Sequence, residues 1–165
     1  MQRFPLWLAV GSLACISTAS GAEPEYRTIR MEIDIAKPAS EVWAKVGDYC
    51  DIAEWFNVDC VITSGNGEMG TVRVLAGGRV TEILVAKTDL SYGYTQPARE
   101  GQFYNLYHGF MEAKPVTDRT SKMIYTLVYD VSDKADAAAK DADVAGRRER
   151  FEGALRNMKA IAEAP

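Results

Sequence analysis

From Tyr26 to Ala36 apolar and polar residues alternate, with Ile29, Met31, Ile33 and Ile35 on one side, which predicts a half-buried β-strand. Pro38-Ala-Ser40-Glu then opens a helix that carries Val42, Trp43 and Val46, and Gly47-Asp48 closes it. Asp51 to Phe56 reads as a second short helix, Val58 to Thr63 as a strand and Gly65-Asn66-Gly67 as a turn. Alternation returns in Gly70-Thr-Val-Arg73-Val-Leu-Ala-Gly77-Gly78-Arg-Val-Thr-Glu82-Ile-Leu, which predicts a hairpin. Gly77-Gly78 supplies the positive φ angles of its two-residue turn. Further strands are expected at Ser91 to Gln96, Phe103 to Lys114 and Lys122 to Val131. From about Ala135 the period lengthens. Val144, Phe151, Leu155, Met158 and Ile161 recur at helical spacing, which predicts a long amphipathic terminal helix, weakened slightly by Gly146 and Gly153.

The order is one strand, two short helices, about six antiparallel strands and one long helix, an α+β arrangement without internal repeat or linker. A seven-stranded sheet with so little helix cannot bury a face by itself. The terminal helix has the length and the apolar stripe to cover it.

The hairpin also carries chemistry. With its turn at Gly77-Gly78, Arg73 pairs directly with Glu82, Leu75 with Val80 and Thr71 with Leu84, all on one face. A charged pair on an aliphatic face is expensive to bury, and losing one partner costs about 3–5 kcal/mol. Either this face lines a cavity with something polar in it, or the hairpin is solvated. The rest of the pattern favours the cavity.

The first 22 of the 165 residues read as a signal peptide. Met1-Gln-Arg3 is basic, Phe4 to Ile16 is apolar and Ser20-Gly21-Ala22 offers small residues for cleavage before Glu23. The apolar run is too short for comfortable membrane insertion. A lipid anchor on Cys15 is the alternative, but Ser12-Leu-Ala-Cys15 lacks the large aliphatic residue usual before a lipidated cysteine. A periplasmic or secreted location is expected, with residues 23–165 as one domain. Of 19 basic and 23 acidic residues, only Arg3 lies in the leader, so the remainder has a net charge near −5. An acidic chain without a basic patch is a poor nucleic-acid partner. Arg147-Arg148-Glu-Arg150 reads as offset by neighbouring acids. Cys50 and Cys60 remain, either bridged, as an oxidising compartment favours, or as two buried thiols.

The order of elements, with Val42-Trp43, Gly47-Asp48-Tyr49, Trp55-Phe56, Gly70-Thr-Val-Arg73, Glu82 and Leu155-Arg-Asn-Met158-Lys, resembles the START-like (SRPBCC) superfamily over roughly Tyr26 to Ala162. That superfamily includes polyketide cyclase/dehydrase-like proteins. The resemblance implies a helix-grip fold, a curved antiparallel sheet wrapped around the C-terminal helix with a ligand cavity between them. It also implies that Arg73 and Glu82 face the cavity. The connection between the strands of Glu82 and Tyr92 is about two residues shorter than usual for the family, which implies a differently shaped mouth.

Strand parity and the resemblance together nominate an interior. Val80, Glu82 and Leu84 share a face; so do Tyr92, Tyr94 and Gln96; Tyr107, Gly109 and Met111; and Met123, Tyr125, Leu127 and Tyr129. Trp55, Phe56, Leu75, Phe151, Leu155 and Met158 complete the expected enclosure, and Arg99 sits in a loop that borders the entrance in this fold. Such a tyrosine-rich wall suits an aromatic or polycyclic ligand bearing oxygens. The bland alternative is that these side chains simply fill the core.

Two functions fit. One is binding of a hydrophobic or aromatic small molecule. The other is a cofactor-free cyclase, dehydratase or carbon–carbon lyase in which Glu82 moves a proton and Tyr94 or Tyr107 acts as acid or steadies an oxyanion. In that reading Arg73 keeps Glu82 ionised, so Glu82 is a base or an anchor. An accessory protein without a ligand is the third reading. No cofactor or metal is expected, because His108 is the lone histidine and its parity opposes Tyr107. Gly65-Asn-Gly67-Glu-Met-Gly70 matches G-x-G-x-x-G, but a strand follows where a dinucleotide site needs a helix. Asp130, Asp133 and Asp136 read as a solvated turn and helix start. The expected partner is a small molecule, with no nucleic acid and no stable membrane insertion; a homodimer is left open.

Overall fold

The computed structural model describes residues 23–98 and 105–165. The leader, Arg99 and Phe103 lie outside the described residues. Ten elements follow the expected order: β1 (Tyr26–Ile35), α1 (Ala39–Val46), α2 (Ile52–Trp55), β2 (Cys60–Ser64), β3 (Val72–Leu75), β4 (Val80–Thr88), β5 (Ser91–Thr95), β6 (Tyr107–Pro115), β7 (Ser121–Asp130) and α3 (Ala137–Glu163). The strands form one antiparallel sheet in the order β1-β7-β6-β5-β4-β3-β2. Among the described residues no helix is long and apolar enough to cross a membrane.

The sheet is open, with β1 and β2 at its edges, and the first strand lies beside the last. β1 pairs with β7 along its whole length, Tyr26 opposite Asp130 and Ile35 opposite Ser121. α3 lies on the concave face and buries Phe151, Ala154, Leu155, Met158 and Ala162. Asp136 caps its first turn by accepting from the Ala139 N–H at 2.8 Å. Two polar contacts then fix its position. The Asn157 side-chain amide donates to the Trp55 carbonyl at 3.0 Å, and Glu163 accepts the Ala36 N–H at 2.8 Å.

The hairpin has the expected register, with Arg73 opposite Glu82 and Leu75 opposite Val80. Its tip is more constrained than two glycines suggest. Ala76 shares the left-handed region (φ 54°) with Gly77 (65°) and Gly78 (90°). The Asp59 carboxylate secures the tip by accepting the Gly77 N–H at 2.9 Å. Behind the hairpin, Cys50 and Cys60 are bonded to each other, with their Cα atoms 5.6 Å apart. This bridge ties the segment after α1 to the start of β2.

Candidate functional site

Arg73 and Glu82 reach the interior because both are inward positions of adjacent strands. Arg73 is fully buried and Glu82 is 3 % exposed. Arg73 Nε and Nη2 lie 2.8 and 2.7 Å from Glu82 Oε2, and Gln96 donates to Oε1 at 3.3 Å. Arg73 Nη1 donates to the Tyr49 carbonyl. The guanidinium lies between aromatic faces, 4.1 Å from the Tyr49 ring centre, 5.1 Å from Tyr94 and 5.7 Å from Tyr92. Burial works against its charge, but the surrounding tyrosine oxygens and Glu82 outweigh burial and hold its pKa above the ordinary value.

Glu82 behaves otherwise than expected. Burial raises its pKa, and this outweighs the opposing pull of Arg73 and the hydrogen bonds from Arg73 and Gln96. The carboxyl therefore holds a proton more readily than a surface glutamate. The expectation that Arg73 dominates is corrected, because both groups lie in a medium that solvates charge poorly.

A cavity of about 350 Å³ opens beside Glu82, at the end of the sheet that carries the hairpin tip. Glu82, Tyr94 and Gln96 line it from β4, β5 and the residues after β5; Tyr107 and Tyr129 from β6 and β7. Leu75, Ala76 and Val80 contribute from the hairpin, Phe56 and Val58 from the chain after α2, and Arg147, Arg150 and Phe151 from α3. Thus Glu82, Tyr94, Tyr107, Phe56, Leu75, Gln96, Tyr129 and Phe151 are brought together around one space.

The other nominated wall residues are not there. Trp55, Met111, Met123, Tyr125 and Leu155 face inward but are packed solidly in the core. Tyr92 is also core, next to Tyr49 and Trp43. Arg73 stands behind Glu82 and does not line the cavity. The interior is therefore packed around Met111, Met123, Tyr125 and Leu155 and hollow beside Glu82, with a smaller space of about 190 Å³ bordered by Tyr92, Tyr49 and Leu84.

One glycine shapes the boundary between filled and hollow. Gly109 faces Tyr94 across the strands, and a Cβ there would lie 2.2 to 2.4 Å from Tyr94 ring atoms. Lacking one, Gly109 lets the phenol lie flat on β6, with its hydroxyl 2.9 Å from that of Tyr125. The hydroxyl of Tyr129 is buried and has no hydrogen-bond partner among the described residues. Burial pushes Tyr107 up to about 12 against the opposing charge of Arg147. Burial, with Asp143, pushes Tyr129 to about 12 as well. Both are therefore neutral hydrogen-bonding groups at ordinary pH.

Sequence reasoning missed Arg147 and Arg150. The signal for Arg147 was present, since it lies one turn before Phe151 on the same helix face. Its guanidinium lies 4.4 Å from the Tyr129 ring centre and pairs with Asp143 at 2.7 Å.

Comparisons with known proteins agree with this architecture. The family described as "Polyketide cyclase / dehydrase and lipid transport" matches residues 26–163. A solution structure from Thermobifida fusca superposes with a TM-score of 0.66 at 22 % identity, covering 80 % of this chain and 90 % of that one. The crystal structure of Ara h 8.0201 gives 0.61 at 18 % identity, covering 84 % and 98 %. The Zhui aromatase/cyclase from Streptomyces sp. R1128 gives 0.64 at 16 % identity, covering 84 % and 94 %. At these identities the likeness is one of fold. No curated protein matches by sequence.

Proposed function

Because the chain belongs to the polyketide cyclase/dehydrase and lipid-transport family, we propose that it is an exported protein that binds an oxygenated aromatic small molecule in the cavity beside Glu82. The observation that carries this reading is the lining. Phe56, Leu75, Val80 and Phe151 offer flat and aliphatic surface, while Glu82, Gln96, Tyr107 and Tyr129 offer convergent polar groups. About 350 Å³ suits two or three fused rings. A long acyl chain would have to displace Met111 and Met123 from the packed core. Export is supported by the leader-like first 22 residues and the bonded cysteines. Native mass spectrometry of protein purified from its own host tests the reading. A retained aromatic molecule supports it. A ligand-free protein whose melting temperature ignores a panel of hydroxylated bicyclic aromatics contradicts it.

One observation favours a second reading. Glu82 combines a raised proton affinity with a place on the cavity wall beside Tyr94 and Tyr107. It is suited to taking a proton from a bound aromatic or polyketide-like substrate and returning it, without a cofactor, as a cyclase, dehydratase or lyase requires. Turnover by purified protein, abolished in Glu82→Gln and retained in Glu68→Ala, would support catalysis. Binding without turnover returns the protein to the first reading.

A further inference from the structure

The mouth of the cavity carries charge that aromatic binding alone leaves unexplained. Arg147 and Arg150 lie three residues apart on α3, and both line the cavity. Arg147 rests over Tyr129 and Tyr107; Arg150 rests over Phe56, 4.6 Å from the ring centre. Four other cations of α3 have a carboxylate partner, Arg147 with Asp143, Arg148 with Glu152, Lys159 with Glu163 and Lys140 with Glu25, whereas Arg156, outside the cavity lining, has none among the described residues. At the positions one turn away Arg150 has Gly146, Arg147, Gly153 and Ala154, and among the described residues no carboxylate pairs with it. The nearby acids are engaged elsewhere. Asp133 pairs with Lys134 at 2.8 Å, and Asp130 accepts the backbone N–H groups of Glu25 and Ser132.

We propose that the ligand bears an anionic group, a carboxylate or another oxyanion, and that Arg150 binds it at the mouth with Arg147 beside it. This rests on the reading of the cavity as an aromatic-ligand site, and it adds the ligand's charge and orientation. The guanidinium stacked on Phe56 presents its N–H edge in a fixed plane, which suits an oxyanion. Glu82 lies at the other end and disfavours a second negative charge. The neutral end of the ligand therefore points inward and its charged end outward.

Two fluorescent probes with the same ring system separate the possibilities. 1-Anilinonaphthalene-8-sulfonate carries an anion; N-phenyl-1-naphthylamine lacks it. The protein should bind the sulfonate about tenfold more tightly. Arg150→Ala should erase that preference by weakening the sulfonate far more than the uncharged probe, and added salt should weaken the sulfonate alone. Equal affinities in the unaltered protein, or a sulfonate preference that survives Arg150→Ala, would overturn the inference and leave the cavity reading standing, provided the uncharged probe binds. Failure of both probes to bind would overturn both. Arg150 is exposed and without an ion-pair partner among the described residues, so an unchanged melting temperature accompanies the expected result.

Discussion

Arg73 gives two nitrogens to a single oxygen of Glu82: Nε and Nη2 both lie within 2.8 Å of Oε2. Oε1 is left to Gln96, 3.3 Å away, on the carboxylate that borders the cavity. One oxygen is committed to the protein, and the other is placed to meet a ligand. The hairpin, not a loop, holds this division in place, because both residues are central positions of paired strands.

The pair should be costly to break and cheaper to remove whole. Arg73→Ala strands a buried carboxyl and is expected to cost about 3–5 kcal/mol in urea denaturation. Arg73→Met combined with Glu82→Leu should cost less than Arg73→Ala alone. A double variant as unstable as the sum of its singles would contradict the account.

Burial of Glu82 sets a pH dependence with a definite sign. Its folded pKa lies above the ordinary 4.5 of the unfolded chain. The folded state therefore keeps a proton that the unfolded state has released, and this stabilisation is lost as pH rises from 4.5 through the folded pKa. Glu25, Glu32 and Glu163, whose pKa values are lowered by their partners, act in the opposite direction. A difference between variants isolates Glu82. Glu82→Gln should gain stability relative to the unaltered protein as pH rises toward neutrality, read from melting curves across that range. A relative loss would mean that Arg73 overrides burial.

Gly109→Ala drives a methyl group into the Tyr94 ring, whose atoms lie 2.2 to 2.4 Å from the added carbon. Overpacking of this kind costs about 1–3 kcal/mol. It should also disturb the Tyr94–Tyr125 hydrogen bond and weaken binding of the uncharged naphthylamine probe. Gly146→Ala is the control. Nothing lies within 4 Å of its Cβ position in the middle of α3, so it should stabilise by about 0.5–1 kcal/mol. Equal outcomes for the two substitutions would remove Gly109 from the site.

Reduction of Cys50–Cys60 should cost roughly 2–3 kcal/mol, the value for closing so short a loop. A local consequence is expected as well. Cys50 follows Tyr49, whose carbonyl and ring both contact Arg73, and Cys60 pairs with Leu75 on β3. Dithiothreitol should therefore weaken probe binding under conditions in which circular dichroism still reports a folded chain. Undiminished binding would make the bridge a global staple only.

The hairpin pair was legible in the sequence because side chains alternate with period two and Gly77-Gly78 fixes where the chain reverses. Parity placed Tyr92, Tyr94, Met111, Met123 and Tyr125 inside for the same reason. Which part of the inside stays empty was not legible. A void is the difference between the space a curved sheet encloses and the volumes of all side chains that enter it. Met111, Met123, Tyr125 and Leu155 meet and fill their part, while Ala76 and Val80 leave room at the hairpin end. The role of Gly109 needed the cross-strand register that sets it against Tyr94. Arg150 was hidden by counting charges along the chain. Glu149 and Glu152 are close in sequence, but neighbours one and two residues away on a helix face elsewhere.

The location of the ligand is the central claim, and nuclear Overhauser contacts from bound N-phenyl-1-naphthylamine to the labelled protein test it most directly. Contacts to Phe56, Leu75, Val80, Tyr107 and Phe151 are expected, with none to Met111 or Met123. Contacts confined to the outward side chains Val61, Val85 and Phe110, with the side chains around Glu82 silent, would contradict it.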